Sequence, residues 1–136
     1  MVNSRFSVAI HILSLIATTS DNSMLTSDFI AGSVNTNPVV VRRMISVLKK
    51  AGLLTSQSGV AGYRLVIEPQ NLSLLAIYQA IEGPEQIFAI HDEPNPACAV
   101  GRKIQHTLEA VYLDVWHAME KQLQAQTLQD VLDQLR

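Results

Sequence analysis

Four cations, Arg42, Arg43, Lys49 and Lys50, fall in one short stretch, and Arg64 follows them. Guanidinium and ammonium groups spaced this closely pair with phosphate oxygens, and each such contact releases condensed counterions from a nucleic acid. Just ahead of them, Thr36, Asn37, Val39 and Val40 have side chains suited to base edges: an amide pairs with adenine, and a valine methyl packs on the thymine methyl. A second chemistry belongs to Cys98, a thiol that is oxidisable wherever a helix N-terminus or a cation favours its thiolate, and His91 is the nearest imidazole before it. Each group also has a plainer reading. A basic face is often only solvated, Val40 fits a core, Asn37 fits a cap, and Cys98 fits a small packing residue. The elements that hold these residues decide what weight each reading carries.

Asn37 followed by Pro38 opens a helix. The amide side chain accepts from a free backbone N–H, and proline suits the first helical position, which needs no donor. Val41, Met44, Ile45 and Leu48 recur at the spacing of one buried helical face, leaving Arg42, Arg43, Ser46, Lys49 and Lys50 off it. Gly52 supplies a left-handed stop. Strand-like runs on either side of Gly59-Val60-Ala61-Gly62 then predict a hairpin carrying Arg64. A cationic helix followed by a basic hairpin is the arrangement of a DNA-recognition helix and its wing.

Upstream, a helix is predicted over 4–18, and a second short one, capped by Thr26 or Ser27, runs through Ala31. Only the Val34-Asn35-Thr36 region separates that second helix from the Asn37-capped one, as in a helix-turn-helix. The second helix of such a pair is the groove reader. Downstream, Leu74, Ile77, Tyr78 and Ile81 mark a helix over 73–82 that Gly83-Pro84 stops. Pro84, Pro94 and Pro96 bracket an irregular connection. The longest helix is expected over 101–124, with Ile104, Leu108, Val111, Val115, Ala118 and Gln122 stepping by alternating four and three, a coiled-coil-like seam. Leu113, Trp116, Met119 and Leu123 lie around a second side, so the helix has apolar surface for its own chain and for a partner. Leu128, Val131, Leu132 and Leu135 mark a final short helix that caps the same core.

At 136 residues with 48% hydrophobic content, the chain is long enough for one compact domain and a core without disulfides. A lone cysteine forms no internal bridge, so the expected compartment is the cytoplasm. The apolar run 8–17 is far short of the roughly 20 residues that span a bilayer and reads as a core helix. The formal charge of -2 hides a split. Six cations (Arg5, Arg42, Arg43, Lys49, Lys50, Arg64) face Asp21 and Asp28 in residues 1–66, a balance of +4, while the remainder carries four cations against ten acids, a balance of -6. The positive field therefore lies where the helix and hairpin are.

The helix ending Leu48-Lys49-Lys50-Ala51-Gly52-Leu53, the wing Gly59-Val60-Ala61-Gly62-Tyr63-Arg64-Leu65, the helix from Leu74 to Gly83 and a cysteine before a long helix together resemble the Rrf2 (Rrf-two) family of bacterial winged-helix repressors. The likeness covers nearly the whole chain. It implies a homodimer on an inverted-repeat operator. In that family three cysteines in the loop before the long helix commonly hold an iron-sulfur cluster, whereas Cys98 is alone here. His91, Asp92, Glu93 and His106 would have to complete a mixed set, so the expectation is a single-cysteine member with no cofactor and no metal. Ala61 stands where the family's wing usually has glycine, and Gln57 where arginine is common.

The fold class expected is mainly α with a small β-hairpin: a winged helix-turn-helix plus a long C-terminal dimerisation helix. Residues 1–83 form the DNA-binding domain, 84–100 a connecting and sensor loop, and 101–136 the dimerisation helix and C-terminal helix. The function expected is a sequence-specific, homodimeric transcriptional repressor on double-stranded DNA that answers a small oxidant or thiol signal. DNA contacts come from Thr36, Asn37, Val39, Val40, Arg42, Arg43, Lys49, Lys50, Gly59, Gly62 and Arg64. Sensing falls to Cys98 and His91, and dimerisation to Ile104, Leu108, Val111, Val115 and Met119. The alternative is a winged-helix module that docks a partner protein. No phosphate loop, nucleophile motif or paired carboxylates point to an enzyme, and no segment points to a membrane.

Overall fold

A computed structural model describes residues 4–82, 88, 90, 91 and 93–136. Six α-helices and one two-stranded antiparallel sheet make up the described fold: α1 (Arg5–Thr18), α2 (Ser27–Val34), α3 (Pro38–Lys50), β1 (Leu54–Thr55), β2 (Arg64–Leu65), α4 (Leu74–Glu82), α5 (Ala99–Gln124) and α6 (Leu128–Gln134). Turns of 3-10 helix at Asn22–Met24 and Pro69–Asn71 join α1 to α2 and β2 to α4.

The apolar run near the N-terminus is a core helix, as expected. Ala9, Ile12, Leu13 and Ile16 of α1 are buried, and the buried Ser14 satisfies its hydroxyl on the Ile10 carbonyl at 2.7 Å. Phe6 meets Tyr78 of α4 edge to face, with ring centroids 5.3 Å apart, and Arg5 pairs with Glu82 at 2.9 Å. Two contacts of different chemistry therefore join the start of α1 to α4.

The cap of α2 is Thr26, whose hydroxyl accepts from the Phe29 N–H at 3.1 Å. The helix runs past the expected Ala31 to Val34 and stops at Asn35, which takes the left-handed conformation with φ 63°. Asparagine tolerates that region because its short side chain bonds locally, so the helix ends there and not at Ala31. In α3 the cap is as expected: Asn37 Oδ1 accepts from the Val39 N–H at 2.7 Å. Val41, Met44, Ile45 and Leu48 are its buried face, and Gly52 has φ 78°.

The hairpin is shorter than the expected strand-like runs. Leu54 pairs with Leu65 and Thr55 with Arg64, and residues 56–63 form the loop between them. Serines and glycines with no alternating apolar pattern supply little to hold a longer ladder. The expected stop at Gly83-Pro84 lies outside the described residues.

The chain end returns to the core that α1 and α4 share. Ser73 and Thr127 form an antiparallel bridge, the Leu74 N–H donates to the Gln126 carbonyl at 2.9 Å, and the Leu128 N–H donates to the Leu72 carbonyl at 2.8 Å. Thr127 and Asp130 complete a reciprocal capping box that starts α6, and Leu128 and Leu132 are buried with α1 and α4.

Candidate nucleic-acid interface

Helix α3 has three exposed sectors around its buried face. Opposite the core stand Val39, Arg43, Ser46 and Lys50; toward the wing lie Arg42 and Lys49; on the other edge are Val40 and Val47. Val39 is 42% exposed and Val40 39%, so Val40 is a surface residue and not part of the core. Thr36 is half-buried and Asn37 exposed, with one Asn37 oxygen engaged as the cap. Lys49 and Lys50 also sit in the last turn, where the helix dipole favours cations.

An open groove of about 480 Å³ separates α3 from the wing, lined by Arg42, Ser46 and Lys49 of the helix and Gln57, Val60 and Ala61 of the wing. Lys49 Nζ donates to Ser56 Oγ at 2.5 Å, so this ammonium ties the helix to the wing base. Gly59 lies at the exposed tip with φ 76°, Gly62 is half-buried with φ 96°, and Arg64 is exposed on β2. All eleven residues expected to meet DNA thus fall on α3, the turn before it or the wing. Ser46, Val47 and Ser56 belong to the same surface and are not among the expected contacts. Their spacing on the exposed side of α3, or beside the wing glycines, is the signal that marks them. Tyr63 packs against the core from the wing.

A polar turn stands behind the wing. Asp21 accepts from the Ser23 hydroxyl at 2.6 Å and from its N–H at 3.1 Å, and these bonds hold the Asp21 carboxyl below its usual pKa, hydroxyl first. Nothing in the types of these residues marks them as part of the site.

At the opposite end, α5 begins at Ala99, two residues before the expected Gly101. The preceding residues form a turn of their own: Asn95 Oδ1 accepts from the Ala97 N–H at 3.0 Å, and the Asn95 carbonyl from the Cys98 N–H at 3.3 Å. Cys98 is the exposed N-cap of α5. The free N–H groups of Gly101, and then Val100, favour its thiolate and lower its pKa. Arg102, the cation one turn on, is not among the groups that shift it. His91 is exposed, and no hydrogen bond links it to Cys98 among the described residues. His11 shares a 2.9 Å hydrogen bond with Ser33, which joins α1 to α2, while His106 and His117 are exposed.

No side chain of α5 is buried. Trp116 and Leu123 turn toward the chain's own core, Trp116 stacking obliquely on Tyr78 at 5.5 Å, and Tyr112 meets Phe88 at 5.2 Å. Leu113 is exposed. Along the expected seam, Ile104, Leu108 and Met119 are half-buried, while Val111 is 47% and Val115 39% exposed.

Residues 2–134 match the family model of Rrf2, described as iron-dependent transcriptional regulators. The chain is 53% identical over 135 residues to YwnA of Bacillus subtilis, a candidate HTH-type transcriptional regulator, with 99% of both chains covered. A crystallised candidate DNA-binding protein shares 49% identity, with 95% of this chain and 99% of that one covered and a TM-score of 0.77. CymR, the global cysteine regulator of B. subtilis, shares the fold at 21% identity, with 98% of this chain and 96% of that one covered and a TM-score of 0.71.

The iron in that family description finds a poor donor set. Cys98 is the sole cysteine of the chain, and among the described residues no three His, Cys, Asp or Glu side chains gather in metal-binding geometry. The residues present do not fit an iron-sulfur cluster.

Proposed function

The chain belongs to the Rrf2 family of transcriptional regulators, and from that premise we propose that it is a homodimeric repressor acting on an inverted-repeat operator and answering a thiol-directed signal at Cys98. It is a DNA-binding regulator of the helix-turn-helix type, not an enzyme, by family and by relative. No helix among the described residues is long and apolar enough to cross a membrane.

The observation that carries the dimer is α5, a helix of 26 residues without one buried side chain. Isolated in water, a valine seam of this kind leaves apolar area exposed at a cost of roughly 25 cal/mol per Å² that a second copy would remove. In the proposed dimer two α5 seams pair about a two-fold axis, which repeats α3 once in each half. In helix-turn-helix dimers the two readers enter successive major grooves about 34 Å apart. Val39, Val40, Thr36 and Asn37 are the proposed base-edge residues. Arg42, Arg43, Lys50, Arg64 and the wing backbone at Gly59 and Gly62 are the proposed phosphate contacts, and Lys49 shares its ammonium between phosphate and Ser56.

Cys98 opens the helix that carries the seam. Oxidation or mixed-disulfide formation there places new bulk and a changed charge at the start of α5, and a shift of that helix changes the spacing of the two readers.

Sedimentation of the wild type and of the double variant Val111→Asp/Val115→Asp tests the assembly. The wild type is expected to sediment as a dimer and the variant as a folded monomer with weakened binding to the DNA upstream of its own gene. A monomeric wild type, or a variant that stays dimeric, contradicts the proposed seam.

A further inference from the structure

The wing of this protein has little of its own to hold it. Its ladder is two residue pairs, and a hairpin that short is marginal in water. The loop 56–63 nevertheless meets fixed structure at both flanks. On one side Ser56 receives the Lys49 ammonium from α3. On the other, Gly62 lies so close to the Asn22–Met24 turn that a Cβ on it would strike the main-chain oxygen of Asn22.

That oxygen is itself held in place. The Leu25 N–H donates to it at 3.1 Å, and Leu25 is fully buried in the core. The Met24 N–H donates to the Asp21 carbonyl at 3.1 Å, and the Asp21 carboxylate takes both donors of Ser23. Asn22 also lines the hollow under the wing together with Thr55, Gln57 and Arg64. The turn is thus a rigid step, anchored in the core, on which the wing backbone rests.

We propose that the Asp21-to-Met24 turn is the seat that sets the angle of the wing against the recognition helix, with Asn22 the positioning residue for wing contacts to DNA. This rests on the DNA-binding reading and adds a part to it. The tip at Gly59-Val60-Ala61 projects beyond the two supports, with Val60 53% exposed, so a small rotation at Gly62 moves the tip away from the groove it would enter.

Gly52, at the end of α3 and outside the proposed DNA contacts, supplies the control. It has a positive φ like Gly62, yet a Cβ added to it meets nothing within 4 Å. Gly52→Ala therefore carries the conformational strain without the collision, whereas Gly62→Ala carries both. A third variant, Asp21→Ala, removes the acceptor that holds the turn without touching the wing.

The measurement is anisotropy of labelled duplex from upstream of the protein's own gene, titrated at several salt concentrations with the full-length wild type and the three variants. Melting temperature is recorded in parallel. Gly62→Ala and Asp21→Ala are expected to weaken binding by about tenfold and to flatten the salt dependence by about 0.9 in slope for each phosphate that the displaced wing no longer neutralises. Gly52→Ala should keep the wild-type slope. A variant that merely folds less well lowers the active fraction and leaves the slope unchanged. If Gly62→Ala and Asp21→Ala keep the wild-type slope, or Gly52→Ala flattens it as far as Gly62→Ala does, the seat is overturned while DNA binding stands. A wild type that binds no duplex at low salt overturns both.

Discussion

Ser73 and Thr127 form an antiparallel bridge that ties the residue before α4 to the residue before α6. The bridge is flanked by hydrogen bonds on both sides and leads directly into Leu128, which has no exposed surface. The helix that follows the long α5 is consequently part of the core on which α3 is mounted. α5 joins that core through covalent continuity at one end and through the Trp116–Tyr78 contact along its side.

Leu128→Ala should therefore destabilise the whole DNA-binding unit. Removing a buried leucine side chain costs about 2–5 kcal/mol through lost transfer energy and the cavity left behind. Chemical denaturation checks this. A loss confined to α6, with the remaining unfolding transition unmoved, would show that the C-terminal helix is merely appended.

Arg43 stands opposite the core face of α3, and among the described residues no side-chain hydrogen bond or ion pair holds it back. Arg43→Ala is expected to weaken binding to all duplexes alike and to reduce the salt slope by about 0.9. The same change at Arg5 should have less effect on binding, because that guanidinium is engaged with Glu82. Equal effects of the two substitutions would remove Arg43 from the proposed interface.

Much of this surface is legible from local sequence because caps and periodicity act within a few residues. Asn37-Pro38 fixes where α3 starts, and the Val41, Met44, Ile45, Leu48 spacing fixes which way its cations face. Asn22 against Gly62 is different. It is a backbone approach between distant segments, and neither side chain announces it. Arg5 with Glu82 and Ser73 with Thr127 are equally long-range, and the residue types at those positions fit many other partners. Turn residues between the two apolar runs predict longer wing strands than form, because pairing depends on register between segments that carry no apolar alternation. Likewise, the helix expected from Gly101 starts at Ala99, after the Asn95 turn, so it is backbone N–H groups, which no residue type announces, that favour the Cys98 thiolate.

Cys98 should react as a thiolate at lower pH than a free cysteine, because Gly101 and Val100 favour the charged form. A folded pKa below the unfolded one means that this interaction stabilises the fold above the ordinary thiol pKa and is lost as pH falls through the lowered value. Iodoacetamide labelling of the native protein against pH reads it directly. The half-point is expected below that of the urea-unfolded chain, and coincident half-points would remove the basis for a sensing thiol.

In the proposed dimer two recognition helices read one symmetric site. Selection of bound duplexes from a random-sequence library by the full-length protein tests it most directly. The enriched sequences should share an inverted repeat whose half-sites lie about 34 Å apart, or a multiple of it, along the duplex. Enrichment of a single unrepeated motif, or none at all, would contradict it.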